Sequence, residues 1–259
     1  MDIFSFPPFA AALDAAYSAL MTLTHALEPL VGTAAGAAAV ILVTLLVRAV
    51  LVPAGISQAK GERARALLAP RIELLRTRYG RNPERLRRET MQLYADAGVS
   101  PLAGCLPLLL QAPVVGLIYS VFLHTTIGGH TNALLAEQVA GVPLGATAVG
   151  ALSGAMSGAL SGAPGGGGAP ASLAVFGVVV GALLVVAELT RRAFPPAAVA
   201  LPSASPSAPP RTLRWLGVLP FATAVVALFV PLAAALYLVV TTIWTLVQRV
   251  VLRRRYPLG

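Results

Sequence analysis

The segment Trp215–Gln248 constrains this chain more than any other. It runs 34 residues without a charged side chain, and arginines close it on both sides: Arg211 and Arg214 before it, Arg249 and Arg253 after it. One straight helix of that length would extend about 51 Å at ~1.5 Å per residue, well beyond the ~30 Å of a bilayer's hydrocarbon core. Basic flanks stay on the cytoplasmic side of a membrane, so two of them place both ends inside and the run must cross twice. Pro231, after Phe229 and Val230, sits near the middle and is the natural turning point, because proline cannot continue the helical ladder. Each arm then has about 16 residues, or ~24 Å, which local thinning of the bilayer would accommodate.

The same reasoning extends to the rest of the chain. Only 11% of the 259 residues are charged, against about 25% in soluble domains. The charges are also gathered. Every Lys and Arg lies within residues 60–88, 191–214 or 249–255, except Arg48. Between these clusters lie three further apolar runs, Thr33–Pro53, Leu102–Leu123 and Ala171–Ala187. A net charge of +9 would suit a nucleic-acid-binding domain if it formed one surface stripe. Placed beside apolar runs, it marks cytoplasmic loops instead. Residues 57–100 hold ten basic residues and are expected inside. Residues 1–32 hold Asp2, Asp14 and Glu28 but no Lys or Arg, and residues 124–170 hold no basic residue, so both are expected outside.

The expected fold is therefore an all-α polytopic membrane protein of five spans in a cell membrane, amino terminus outside and carboxyl terminus cytoplasmic. An external amphipathic helix occupies 1–32, where Phe9, Leu13, Tyr17, Leu20 and Leu27 follow helical spacing. The spans are 33–56, 101–124, 171–190, 214–230 and 231–250. A cytoplasmic helical hairpin fills 57–100, an external Gly/Ala-rich loop 125–170, a cytoplasmic loop 191–213 and a basic tail 251–259. The amino terminus lacks the basic n-region of a cleaved signal peptide. Repeated Ser-Gly-Ala triplets and four consecutive glycines make 143–170 a flexible linker by composition. A small-residue packing helix is the alternative there. The Pro/Ser/Ala-rich 195–210 reads as a disordered loop.

Within the hairpin, Leu68, Ile72, Leu75 and Tyr79 share one face of the first arm, and Leu86, Leu93 and Ala97 recur along the second. Between them, Asn82 suits the N-cap and Pro83 the first helical position of the second arm. Gly98 suits the helix end. The two arms should pair as an antiparallel coiled coil. Their outer faces carry Arg63, Arg65, Arg71, Arg78, Arg85, Arg87 and Arg88. These form either a plain solvated face or a docking surface for anionic lipid, ribosomal RNA or a nascent chain.

Arg48 lies inside an apolar run, where an arginine costs about 2.5–3.5 kcal/mol at the helix centre. The only carboxylate inside any other span is Glu188, near the end of the third. Arg48 thus either snorkels toward the inner headgroups or faces a hydrated groove open to the cytoplasm. Thr44, Gln111, Thr241, Thr242 and Gln248 are polar residues that could line such a groove, although threonines often bond their own helix backbone. Tyr237 and Trp244 share a face of the last span at seven-residue spacing. No metal or cofactor site is expected: Cys105 is the only cysteine, and His25, His124 and His130 have no ligand spacing.

These residues resemble the YidC family of membrane protein insertases. Leu45-Leu46-Val47-Arg48 followed by Val52-Pro53 and Gln58 is similar to the start of its conserved core. Leu93 to Pro113, reading LYADAGVSPLAGCLPLLLQAP, is similar to its most recognisable segment. Phe229-Val230-Pro231 with Leu236-Tyr237 and Thr241-Thr242-Ile243-Trp244 fits its last motif. The matches span 40–123 and 214–252. Pro231-Leu232-Ala233-Ala234 and Leu238 depart from the family's usual small-residue and aromatic positions, which bears on substrate preference rather than class. The resemblance implies five spans around a hydrophilic groove, closed outside and open to cytoplasm and lipid. It implies insertion of small or nascent membrane proteins, alone or beside the Sec translocon, without nucleotide hydrolysis or a cofactor, and it matches Arg48 to the groove arginine. Only a short tail follows Trp244, so a ribosome contact through it should be weak. A channel, a membrane-embedded enzyme and an assembly scaffold are the competing classes. The first lacks polar residues on several spans or inverted repeats, and the second lacks paired carboxylates or a nucleophile–base pair. Sequence does not separate the scaffold from the insertase.

Overall fold

The computed structural model describes residues 7–98, 116–161, 169–194 and 218–255. Helices α1 (Pro7–Val31) and α2 (Ala35–Val50) are joined by a single 3-10 turn, Gly32–Ala34. Gly32 makes this bend possible with a φ of +57°, a conformation that side chains disfavour. Helix α3 (Val52–Tyr79) follows α2 after one residue, Leu51. Leu51 keeps helical dihedrals, and its N–H still donates to the Val47 carbonyl at 3.0 Å. Helix α4 (Pro83–Asp96) returns along α3. Residues 116–123 form α5. Two small hairpins follow, β1 (Thr126–Ile127) with β2 (His130–Thr131), and β3 (Gln138–Val139) with β4 (Val142–Pro143). Then come α6 (Ala148–Ser161), α7 (Ala169–Ala193), α8 (Leu219–Val226) and α9 (Leu232–Arg255).

The fold is all-α apart from those hairpins. Among the described residues three stretches are long and apolar enough to cross a membrane: Ala10–Val50, which includes the Gly32 bend, Pro170–Ala193 and Leu232–Arg255. Helix α9 packs between α2 and α7. The expected spans 101–124 and 214–230 are described only over 116–124 and 218–230.

Helices α2, α7 and α9 run the same way. The start of α2 and the start of α9 meet the same loop residue. A Cβ on Gly36 would approach the Leu144 side chain to 3.1 Å, and the Ala233 N–H donates to the Leu144 carbonyl at 3.1 Å. At the opposite end, Phe194 just beyond α7 lies under Arg249 and Arg253 of α9. Three helices pointing in one direction oblige the chain to return twice between them, once between α4 and the loop and once between α7 and α9. The protein therefore has a loop end, formed around residues 124–147, and a hairpin end, formed by α3 and α4.

Buried side chains concentrate at the loop end. Leu13, Leu20, Val40, Val121, Phe122, Ile127, Leu134, Val142, Leu144 and Leu232 belong to one apolar core. Leu13 and Leu20 belong to the expected helical stripe of α1, and Tyr17 and Leu27 pack partly buried beside them. Tyr17 also accepts the Ala133 N–H through its hydroxyl at 3.3 Å. Asn132 is buried and anchors the loop. Its amide donates to the carbonyls of Val121 and His124, the latter at 2.9 Å, and its oxygen accepts the Leu134 N–H at 3.2 Å.

The hairpin forms as the cap residues dictate. Asn82 accepts the Arg85 N–H at 3.0 Å, Pro83 opens α4, and Gly98 ends it with a φ of +63°. Leu68 and Tyr94 are buried at matching heights, eleven residues before Tyr79 (79 − 68) and eleven after Pro83 (94 − 83). Ala97, expected in the seam, is exposed because α4 has already ended at Asp96.

Two other expectations are corrected. Residues 148–161 of the supposed flexible linker form α6, which packs on α7. The Ser hydroxyls are absorbed locally, Ser153 by the Gly150 carbonyl and Ser157 by that of Ser153. The fifth arm is also not a 16-residue helix. Helix α9 continues for 24 residues through Arg255, since arginine is a good helix former and its long stem can carry charge out of an apolar layer. The argument for thinning then rests on the shorter α8 alone.

Candidate functional site

Arg48 and Tyr237, two of the residues singled out by sequence, lie where α2 and α9 run side by side. The last turn of α2 carries Arg48, half-buried and within electrostatic reach of Tyr237 on α9. Among the described residues no carboxylate lies within ion-pair distance of Arg48. Glu188 is committed elsewhere, to Arg191 at 2.8 Å and Arg192 at 2.6 Å on its own helix.

Tyr237, Thr241, Trp244 and Gln248 follow one another at spacings of four, three and four residues, which puts them on one face of α9. Thr241 Oγ1 is buried and has no hydrogen-bond partner among the described residues. A buried hydroxyl left in that state costs about 1–3 kcal/mol, so water or a polar substrate group at this point would be stabilised. Trp244 Nε1 donates to Gln248 Oε1 at 3.0 Å. That bond holds the Gln248 amide nitrogen against Gly55 of α3, in the space a side chain there would occupy. The polar face thus runs from Tyr237, within electrostatic reach of Arg48, to Gln248, where it meets α3.

Not every expected lining residue joins it. Thr44 is only 1% exposed, and its hydroxyl donates to the Val40 carbonyl at 2.6 Å, so it packs into the core and its proton is used by its own helix. Thr242 likewise donates to the Leu238 carbonyl at 2.9 Å. Gln111 lies outside the described residues. The polar face is also asymmetric along its length. At the loop end, the Ala146 and Leu144 carbonyls accept the first N–H groups of α9, from Leu232 at 2.8 Å and Ala233 at 3.1 Å. These are donors a helix start otherwise leaves open. At the hairpin end Trp244, Thr245 and Gln248 stay partly exposed.

The basic hairpin supplies a second surface. Arg63, Arg71, Arg78, Arg85 and Arg88 are all exposed. Arg78 and Arg85 stack on the Tyr79 ring, 5.5 and 4.9 Å from its centroid. Arg85 also lies 3.8 Å from Glu89. The side chain of Arg65 lies outside the described residues.

Sequence reasoning missed three parts of this arrangement: Asn132, the Leu144–Ala146 backbone that caps α9, and the Gly55 seat for Gln248. A partial signal existed for the first two. Gly128-Gly129 and Ala140-Gly141 are dipeptides that suit two-residue hairpin turns, and all four adopt positive φ.

Comparison with known proteins gives two results. The family model described as 60Kd inner membrane protein matches residues 27–258. Curated relatives named "Membrane protein insertase YidC" align with about a third of this chain. The protein from Clostridium perfringens is 40% identical over 87 residues, 34% of this chain and 37% of its own length. "Membrane protein insertase YidC 1" from Halalkalibacterium halodurans is 41% identical over 91 residues, 34% of this chain and 35% of its own. The Aquifex aeolicus protein is 36% identical over 86 residues, 33% and 17% of the two chains. The aligned region therefore spans about a third or less of these relatives.

Proposed function

Because the chain belongs to the 60Kd inner membrane protein family, we propose that it is a membrane protein insertase that moves apolar helices of small or nascent proteins into the bilayer. The observation that carries this reading is Arg48: a half-buried cation on a membrane-length stretch, within electrostatic reach of Tyr237 and without a carboxylate partner among the described residues. Such a charge wants water or an anion. A hydrated groove along Arg48, Tyr237 and Thr241, open at the hairpin end and closed at the loop end, would supply the first. An acidic segment of a substrate would supply the second.

In this reading the loop end is external, the hairpin end is cytoplasmic, and the chain crosses a bacterial plasma membrane five times. The substrate's polar tail enters from the hairpin end. Arg48 attracts it and gives it a polar stop partway across, lowering the cost of carrying unsatisfied groups through hydrocarbon, several kcal/mol each. The substrate helix then passes into lipid, and its apolar burial supplies about 25 cal/mol per Å². No covalent bond changes, so no catalytic residue or cofactor is required. The Sec translocon and, through the hairpin arginines, a ribosome or nascent chain are the proposed partners.

The test is insertion of a single-span substrate with an acidic external tail into liposomes containing only the purified protein, scored by protease protection. Protection above empty liposomes that falls with Arg48→Ala supports the reading. No gain over empty liposomes would leave an assembly scaffold. Equal insertion by wild type and Arg48→Ala would remove Arg48 from the mechanism.

A further inference from the structure

The hairpin ends of α7 and α9 hold a cluster of cations that the insertion mechanism does not use. Arg253 lies over the Phe194 ring at 4.2 Å from its centroid, and Arg249 over the same ring at 5.9 Å. Arg249 and Arg253 are one turn apart on α9, a spacing at which like charges repel. Phe194 belongs to the other helix's end, and Arg191 and Arg192 precede it there. Among the described residues Glu188 is the carboxylate in ion-pair contact with this group, bonded to both Arg191 and Arg192. Four guanidinium groups less one carboxylate (4 − 1) leave an excess of three positive charges.

Helix dipoles favour cations at carboxyl-terminal ends. They do not explain why two arginines of one helix converge on an aromatic ring at the end of another. Ring stacking holds the planar cations in place while leaving their N–H edges free to donate, the geometry that suits a phosphate. The position then selects the source. Both helices are long and apolar enough to cross a membrane, and the cluster sits at their ends, at headgroup depth.

We propose that Phe194, Arg249 and Arg253, with Arg191 and Arg192, form a binding site for the phosphate of an anionic glycerophospholipid, seated between the hairpin ends of α7 and α9. The lipid offsets the repulsion among the arginines and ties the two helices together. The inference rests on the membrane placement used above, but not on insertase activity.

The test uses the full-length protein in micelles with equal phosphatidylglycerol and phosphatidylcholine, without substrate, read by native mass spectrometry of retained lipid. Wild type is expected to retain phosphatidylglycerol selectively, and the R249Q/R253Q double variant to lose that selectivity by roughly tenfold or more. The variant R76Q/R81Q, with the same change in net charge at arginines outside the hairpin's expected docking face, should retain it. Equal retention of both lipids by wild type would overturn the proposal. So would an equal loss in R76Q/R81Q, which would reduce the effect to overall charge. Release of the lipid by millimolar inorganic phosphate would overturn the assignment to a headgroup and leave a free-anion site. Since the assay contains no substrate, its failure and a failure of insertion are read separately.

Discussion

Arg48 and Asn132 show how differently two polar side chains are placed in one apolar protein. Arg48 lies within electrostatic reach of Tyr237 and has no carboxylate partner among the described residues, and the proposed mechanism uses its charge for water and substrate. Replacing it with lysine preserves the charge and should preserve most insertion of acidic-tailed substrates. Alanine should lower the rate by roughly tenfold, the equivalent of ~1.4 kcal/mol of lost charge stabilisation. Initial rates of protease protection distinguish the two. Asn132 is the opposite case, 3% exposed with both its amide and its oxygen bonded to backbone. Asn132→Ala would strand buried carbonyls and an N–H, costing about 1–3 kcal/mol or more, and should lower the unfolding midpoint in detergent. A midpoint unchanged from wild type would show that water replaces the amide. Arg48 was legible in sequence because a charge inside an apolar run is conspicuous. Asn132 was not, since an asparagine in a polar loop looks like every other one until the loop folds over it.

At the level of elements, the hairpin and the last helix behave oppositely as objects of sequence reading. Caps are local: Asn82, Pro83 and Gly98 act through bonds to residues within a few positions, so the turn and both helix ends followed from the sequence. Asn82→Ala should therefore cost about 1 kcal/mol of hairpin stability. Faster amide exchange confined to the first turn of α4 would register it, and unchanged exchange there would argue that the turn is held by packing alone. The start of α9 is capped instead by the Leu144 and Ala146 carbonyls, more than eighty residues away in the chain (232 − 146 = 86, 233 − 144 = 89). No local rule reaches that far. Helix α6 is the intermediate case: the Ser-Gly-Ala repeat weakens a helix intrinsically, and packing on α7 is what it gains by folding.

For the molecule as a whole, the common direction of α2, α7 and α9 carries the topological argument, because it separates the loop end from the hairpin end. Placed in a membrane with the positive clusters inside, the loop end is external. In a Cys105→Ser background, Thr126→Cys should then react with a membrane-impermeant maleimide in intact cells, and Thr77→Cys only after permeabilisation; the reverse pattern would invert the orientation. Both positions are exposed. The sequence by itself determined what depends on composition and short range: apolar runs of membrane length, the side on which the charges gather, the hairpin with its caps, and the one arginine out of place. Only the tertiary structure decided which polar groups remain available. It consumed the Thr44 hydroxyl within its own helix, left that of Thr241 without a partner among the described residues, and seated Gln248 against Gly55. The reason is physical. Hydrophobic partition depends on what a segment contains, whereas hydrogen-bond satisfaction depends on which atoms meet, and those atoms come from helices far apart in the chain.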